Sequence, residues 1–213
     1  MAVPTLGSAW AVDWIDRSAK VIHEHRSELI KLDQPIGDGD HGDNLERGFT
    51  AANAEVGASE PAAIADVMKT VAMTLMSKVG GASGPLYGSV FLKGAKVATE
   101  DLDAAGVAEL LAASLAGLQA RGKAVPGEKT MVDVWTPAVE AARSAAESGL
   151  PPAGVLRAAA DAAAAGAIAT EPMIATKGRA SYLGPRSAGH RDPGSQSSAY
   201  ILNAAAEAAE ALG

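Results

Sequence analysis

Apolar side chains return every three or four residues over most of this chain. In PAAIADVMKTVAMTLMSKVG they fall at Ile64, Val67, Met68, Val71, Leu75 and Val79, the spacing that turns one face of an α-helix away from water. Val107, Leu110, Leu111, Leu115 and Leu118 repeat the pattern. A first helix is predicted over 8–31, with Ile15, Ile22 and Leu29 at heptad spacing and Trp10 and Trp14 one turn apart. Further helices are predicted near 44–57, 85–99, 129–147, 152–169 and 195–211, where alanine raises helix propensity. No stretch shows the β-branched, period-two alternation of a strand. Eight helices with mostly short links predict an all-α protein, an antiparallel up-and-down bundle or barrel. Two polar, glycine-rich interruptions, 32–43 and 170–194, are longer than a connection needs, which points to work done in them. No repeat or dividing linker is visible, so one domain over 1–213 is expected.

Composition narrows the functions. With 213 residues the chain can bury a real core, and with no cysteine it can make neither disulfides nor thiolate chemistry. MAVPTLGSAW lacks the basic stretch and apolar run of a secretory signal, and the most apolar segment, AAADAAAAGAIA at 158–169, is broken by Asp161 and too short for a bilayer. A cytoplasmic protein without a membrane partner is expected. The net charge of −7 argues against nucleic acid or an anionic membrane as partner. Three Trp, three Tyr and two Phe leave little for stacking bases.

Four stretches can carry chemistry, and each has a plainer reading. DQPIGDGDHGDN, 33–44, holds Asp33, Asp38 and Asp40 just after the first helix. Carboxylates about 4 Å apart repel by roughly 4 kcal/mol at an effective dielectric near 20, so converging ones call for a cation or protons. Oxygen ligands on a pliable turn suit Mg2+ or Ca2+. The EF-hand register fails, because Asp43 stands where its glycine is required; Mg2+, which keeps positions open for phosphate, fits better. The alternative is a solvated acidic turn with Asp or Asn capping the next helix. VGGASGPLYGS, 79–89, offers small residues and Ser83 at a helix start to a phosphate, or simply close helix packing; it lacks the GK[ST] ending of a Walker A loop. PGEKTMVDVWTP, 126–137, puts Gly127 and Thr130 beside a helix start, and reads equally as a glycine turn with Glu128 in the first helical turn. TKGRASYLGPRSAGHRDPGSQSS, 176–198, gathers Lys177, Arg179, Arg186, His190 and Arg191, with no acidic residue from Pro172 to Arg191. That is either a basic flap over an anion or a solvated loop. Taken together, the four stretches describe a Mg-nucleotide site.

IGDGDHGDN, VGGASGPLYGS, GEKTMVDVW and GRASYLGPRSAGHRDPG also closely resemble, in the same order, the signature blocks of the L subunit of dihydroxyacetone kinase. The resemblance implies an eight-helix antiparallel barrel with nucleotide held by the loops at one end. It implies two Mg2+ ions on Asp33, Asp38 and Asp40. Around ADP or ATP it places His41, Gly42, Asp43, Asn44, Ala82, Ser83, Gly127, Thr130, Met131, Arg179, Asp192, Pro193 and Gly194, with Arg179 able to fork onto phosphate oxygens during transfer. It implies that dihydroxyacetone sits on a separate K subunit, and that ADP is rephosphorylated in place by a phosphohistidine-bearing phosphotransferase subunit or exchanges with ATP. Other readings are a kinase subunit for a ketose such as erythrulose, or a nucleotide-binding module that docks on a transcription regulator. The commoner family pattern has alanine at the position of Gly39 and an apolar or small residue at that of Asp43, so Asp43 adds negative charge beside the phosphates.

Overall fold

Residues 4–212 are described in the structure, a computed structural model. Among them nine α-helices follow one another: α1 (Ser8–Glu24), α2 (Arg26–Asp33), α3 (His41–Ser59), α4 (Ile64–Lys78), α5 (Ser83–Gly94), α6 (Ala104–Gly122), α7 (Val132–Glu147), α8 (Pro152–Ala169) and α9 (Pro193–Glu210). A 3-10 segment, Arg179–Ser187, lies in the long connection before α9. Extended pairing among the described residues is limited to one isolated bridge between Leu6 and Leu102. The all-α expectation holds. The helix predicted over 8–31 is divided at His25, whose φ of −98° and ψ of 9° leave the helical region. His25 stacks on Tyr200 with centroids 4.2 Å apart, and its Nδ1 meets Glu28 at 2.7 Å. Both contacts hold the bend that aims α2 and its terminal Asp33.

From α3 to α9 each helix packs against the next, α9 packs against α1, and α1 packs against α3. Two indoles fix the return of the last helix to the first. Trp10 Nε1 donates to the Ala205 carbonyl at 3.0 Å and Trp14 Nε1 to that of Ile201 at 2.8 Å. Their rings stack at 5.2 Å, with Phe91 5.3 Å from Trp14, and Phe49 meets Tyr87 and Phe91 edge-on. On α9, Ala204, Ala205, Ala206, Ala208 and Ala209 are all buried, because side chains this small let α1 and α8 approach it from different sides. Gly42 serves the same end at one point: a Cβ there would overlap the Arg26 carbonyl, so α3 can start hard against α2 only with glycine.

The starts of α3, α5, α7 and α9 line a common cavity, so these four helices begin at the same end. Four helix N-termini, each with unpaired N–H groups and a partial positive charge of roughly half a unit, meet there.

Candidate functional site

Asp33 ends α2, buried, and its Oδ2 accepts the N–H groups of Asp40 at 3.0 Å and His41 at 3.2 Å. The start of α3 is therefore capped from a distance by Asp33, while the Asp40 side chain makes no capping bond. Gly37 lets the turn fold back over Asp33, since a Cβ at that position would overlap the Asp33 carboxylate. Asp33, Asp38 and Asp40 each bring an oxygen within 4.8 Å of the others. Burial raises the Asp33 pKa, and the charges of Asp38 and Asp40 raise it further against the two amides that lower it. An all-oxygen set of mutually repelling carboxylates on a turn suits a hard divalent cation. Arg179 Nη2 reaches Asp38 Oδ2 at 2.8 Å, tying the 3-10 segment to the acidic turn.

The acidic turn opens on a pocket of about 610 Å3. Its walls come from the start of α3 (Asp40, His41), of α5 (Ala82, Ser83), of α7 (Met131, Val132) and of α9 (Asp192, Pro193, Gly194), together with Thr130 and Arg179. All four motif stretches thus reach one cavity. His41 is buried, with Nε2 2.9 Å from Ser197 Oγ and Nδ1 3.2 Å from Ser83 Oγ. Burial pulls its pKa down to about 4, so the ring is neutral near pH 7. Asp192 caps α9, accepting from the Ser195 N–H at 2.7 Å and hydroxyl at 2.8 Å. Removal from water pushes its pKa up to about 6. Thr130 and Gly194 are joined through Ser195, whose hydroxyl oxygen also lies 2.9 Å from the Thr130 carbonyl, its one proton shared between that oxygen and Asp192, and Met131 lies against Gly194.

Gly42, Asp43, Asn44 and Gly127 are not among the pocket walls. Gly42 is consumed in the contact with α2. Asp43 points to Arg26 at 2.5 Å, so its extra charge is balanced by a cation instead of facing the pocket. Asn44 is buried, accepts from Arg47 and abuts Gly80, which supports the glycine turn from behind. Gly127, at φ 91°, donates its N–H to Asp133. Glu128 precedes α7 instead of sitting in its first turn; its carboxylate accepts from the Val125 N–H at 2.9 Å. The basic stretch also divides. Lys177 and Arg179 line the pocket, whereas Arg191 turns to Glu171 at 2.6 Å and Gln196 at 2.8 Å, because that acid stands just before the acid-free run.

Sequence reasoning missed an apolar wall and a buried cation. Leu86, Leu118 and Ala124 line the pocket; Leu118 closes the periodic pattern of α6, Leu86 sits in the first turn of α5 and Ala124 in the loop after α6, and periodicity alone does not separate a core face from a pocket wall. Lys129, within the 126–137 stretch, also lines it and is 1% exposed.

The family model described as the DAK2 domain matches residues 35–207. The chain belongs to the DAK2 domain family. This DAK2 chain is 44% identical over 201 residues to the PEP-dependent dihydroxyacetone kinase 1, ADP-binding subunit DhaL, of Listeria innocua, covering 94% of the chain and 96% of that relative. It is 46% identical over 191 residues to the PTS-dependent dihydroxyacetone kinase, ADP-binding subunit DhaL, of Lactococcus lactis, covering 90% and 92%. The crystal structure of the dihydroxyacetone kinase from C. freundii in complex with AMP-PNP and Mg2+ superposes with a TM-score of 0.70 at 24% identity, a likeness of fold. That match covers 97% of the DAK2 chain and 35% of the C. freundii chain. Among the described residues no helix is long and apolar enough to cross a membrane.

Proposed function

We propose that this chain is the ADP-binding subunit of a cytoplasmic dihydroxyacetone kinase. It would pass a phosphoryl group to dihydroxyacetone held on a separate K subunit and recharge its nucleotide from a phosphohistidine-bearing subunit of the phosphotransferase system. The observation that carries this reading is the meeting of an acidic triad and four helix N-termini in one pocket. Phosphates need both: cations to neutralise them and fixed N–H dipoles to orient them. The names of the relatives supply the class of reaction.

Asp33, Asp38 and Asp40 would hold two Mg2+ ions, which when bound neutralise charge on the phosphates. The chain's own groups do the rest. The backbone at Ala82, Ser83 and Gly194 offers N–H groups and little side-chain bulk. Neutral His41, bonded to two serine hydroxyls, presents a hydrogen-bonded wall without titrating near neutral pH. Leu86, Leu118 and Ala124 give an apolar surface suited to a nucleobase. Arg179, 66% exposed along its side chain and paired with Asp38, can exchange that carboxylate for a phosphoryl oxygen and steady the charge that builds during transfer.

Reconstitution tests it. Chain, K subunit, the phosphotransferase subunit in its phosphohistidine form and Mg-ADP together should convert dihydroxyacetone to its phosphate, one per phosphohistidine consumed, and omission of any one should stop the reaction. Transfer to erythrulose but not to dihydroxyacetone would move the substrate assignment, and no transfer to either, with nucleotide bound, would leave a binding module.

A further inference from the structure

Lys129 is a buried charge that the nucleotide reading does not use. Its ammonium donates to the carbonyls of Thr170 at 2.6 Å, Glu171 at 3.2 Å and His190. An ammonium has three donors, so none remains for a phosphate. Thr170 and Glu171 follow the last turn of α8, where the helix dipole favours a cation. His190 stands two residues before the cap of α9. The three carbonyls thus mark both ends of the loop that carries the 3-10 segment and Arg179. Neighbouring bonds close the same base: Gly189 N–H to the Glu171 carbonyl at 2.7 Å, Asp192 N–H to Thr170 Oγ1 at 3.1 Å and Thr176 N–H to the Glu128 carbonyl at 3.3 Å. Lys129 itself sits at φ 61°, a left-handed conformation that a residue with a side chain keeps only where its surroundings enforce it. Burial lowers its pKa, opposed by the charges of Asp192 and Glu171.

We infer that Lys129 is a positioning residue whose ammonium clamps both ends of the 170–192 loop to the turn before α7. The clamp holds Arg179 and Asp192 in register with Thr130 and Met131. Its consequence for binding rests on the proposed nucleotide site; its consequence for the loop does not. The loop contains trypsin sites at Lys177, Arg179 and Arg186, so opening can be read without ligand. In Lys129→Met, cleavage at these sites should rise at least tenfold while the helical circular dichroism stays, and the Kd for Mg-ADP should rise at least tenfold. Because the chain has no cysteine, Lys129→Cys treated with 2-bromoethylamine in denaturant and refolded restores an ammonium at this position alone. It should recover both properties. If Lys129→Met does not fold, the untreated and aminoethylated Cys variants carry the comparison, and Lys129→Gln, which keeps two donors, provides a third. Unchanged loop cleavage overturns the inference, including the case in which affinity falls, which would mean that the ammonium acts on the nucleotide directly. Loop opening in a chain whose parent binds no Mg-ADP upholds the clamp and refutes the nucleotide reading.

Discussion

Neutralising Asp40 should make the ligand-free protein more stable and the liganded protein less so. The three carboxylates place oxygens within 4.8 Å of one another. At that distance each pair repels by about 3 kcal/mol at an effective dielectric of 20 and by about 1 kcal/mol in bulk water. Asp38 and Asp40 are exposed, so the lower figure applies. Asp40→Asn removes its repulsion with Asp33 and with Asp38, the second already offset by Arg179. Against this gain stands the loss of a negative charge at the start of α3, worth about 0.5 kcal/mol. The net is a gain of about 1 kcal/mol, or about 2–4 °C in Tm for a chain of this size. With Mg-ADP at a thousandfold excess over Kd the parent should gain about 4 kcal/mol, or about 10 °C. The variant should gain little, so the order of stability inverts. Differential scanning fluorimetry in EDTA and then in Mg-ADP reads both arms. If Asp40→Asn melts below the parent in EDTA and shifts as far as the parent with Mg-ADP, the convergence of the carboxylates has nothing to do with a cation.

Arg179→Lys keeps the charge and loses the fork, so turnover in the reconstituted kinase should fall at least tenfold while Mg-ADP still binds, and Lys177→Ala should change turnover little; a coupled assay with calorimetry separates the two. Gly37→Ala forces a Cβ into the Asp33 carboxylate and should weaken Mg-ADP binding at least tenfold, measured by calorimetry, with the helical signal retained. For Asp192 the folded pKa of about 6 exceeds the ordinary aspartate value of 3.8, so the native state holds its proton more tightly and this group's contribution to stability is lost as pH rises from about 4 to about 6. Urea denaturation should therefore show Asp192→Asn gaining on the parent across that window, and a difference that does not vary with pH would contradict the burial of this carboxyl.

The helices were legible because periodicity reports a buried face directly, and Ile15, Ile22 and Leu29 are all fully buried as their spacing requires. The break at His25 was not legible, since His-Arg-Ser is compatible with a helix and the bend depends on Tyr200, far away in sequence. In the site, the acidic triad was visible because four aspartates in twelve residues need a reason. Its neighbours were harder to place. Asp43 and Asp38 look alike in the sequence, and only the position of Arg26 and Arg179 decides which one faces away from the pocket. Arg191 looked like part of a flap because Glu171, its partner, lies just outside the acid-free run. Lys129 gave no signal at all, as its partners are backbone carbonyls, which every sequence contains.

Native mass spectrometry of the purified chain with and without Mg2+ tests most directly whether the acidic turn and the helix N-termini form one nucleotide site. With Mg2+ and ADP the predicted mass increase corresponds to one ADP and two Mg2+ per chain, surviving dialysis against buffer and lost on dialysis against EDTA. ADP retained equally after EDTA, or no ADP retained in either buffer, would contradict it.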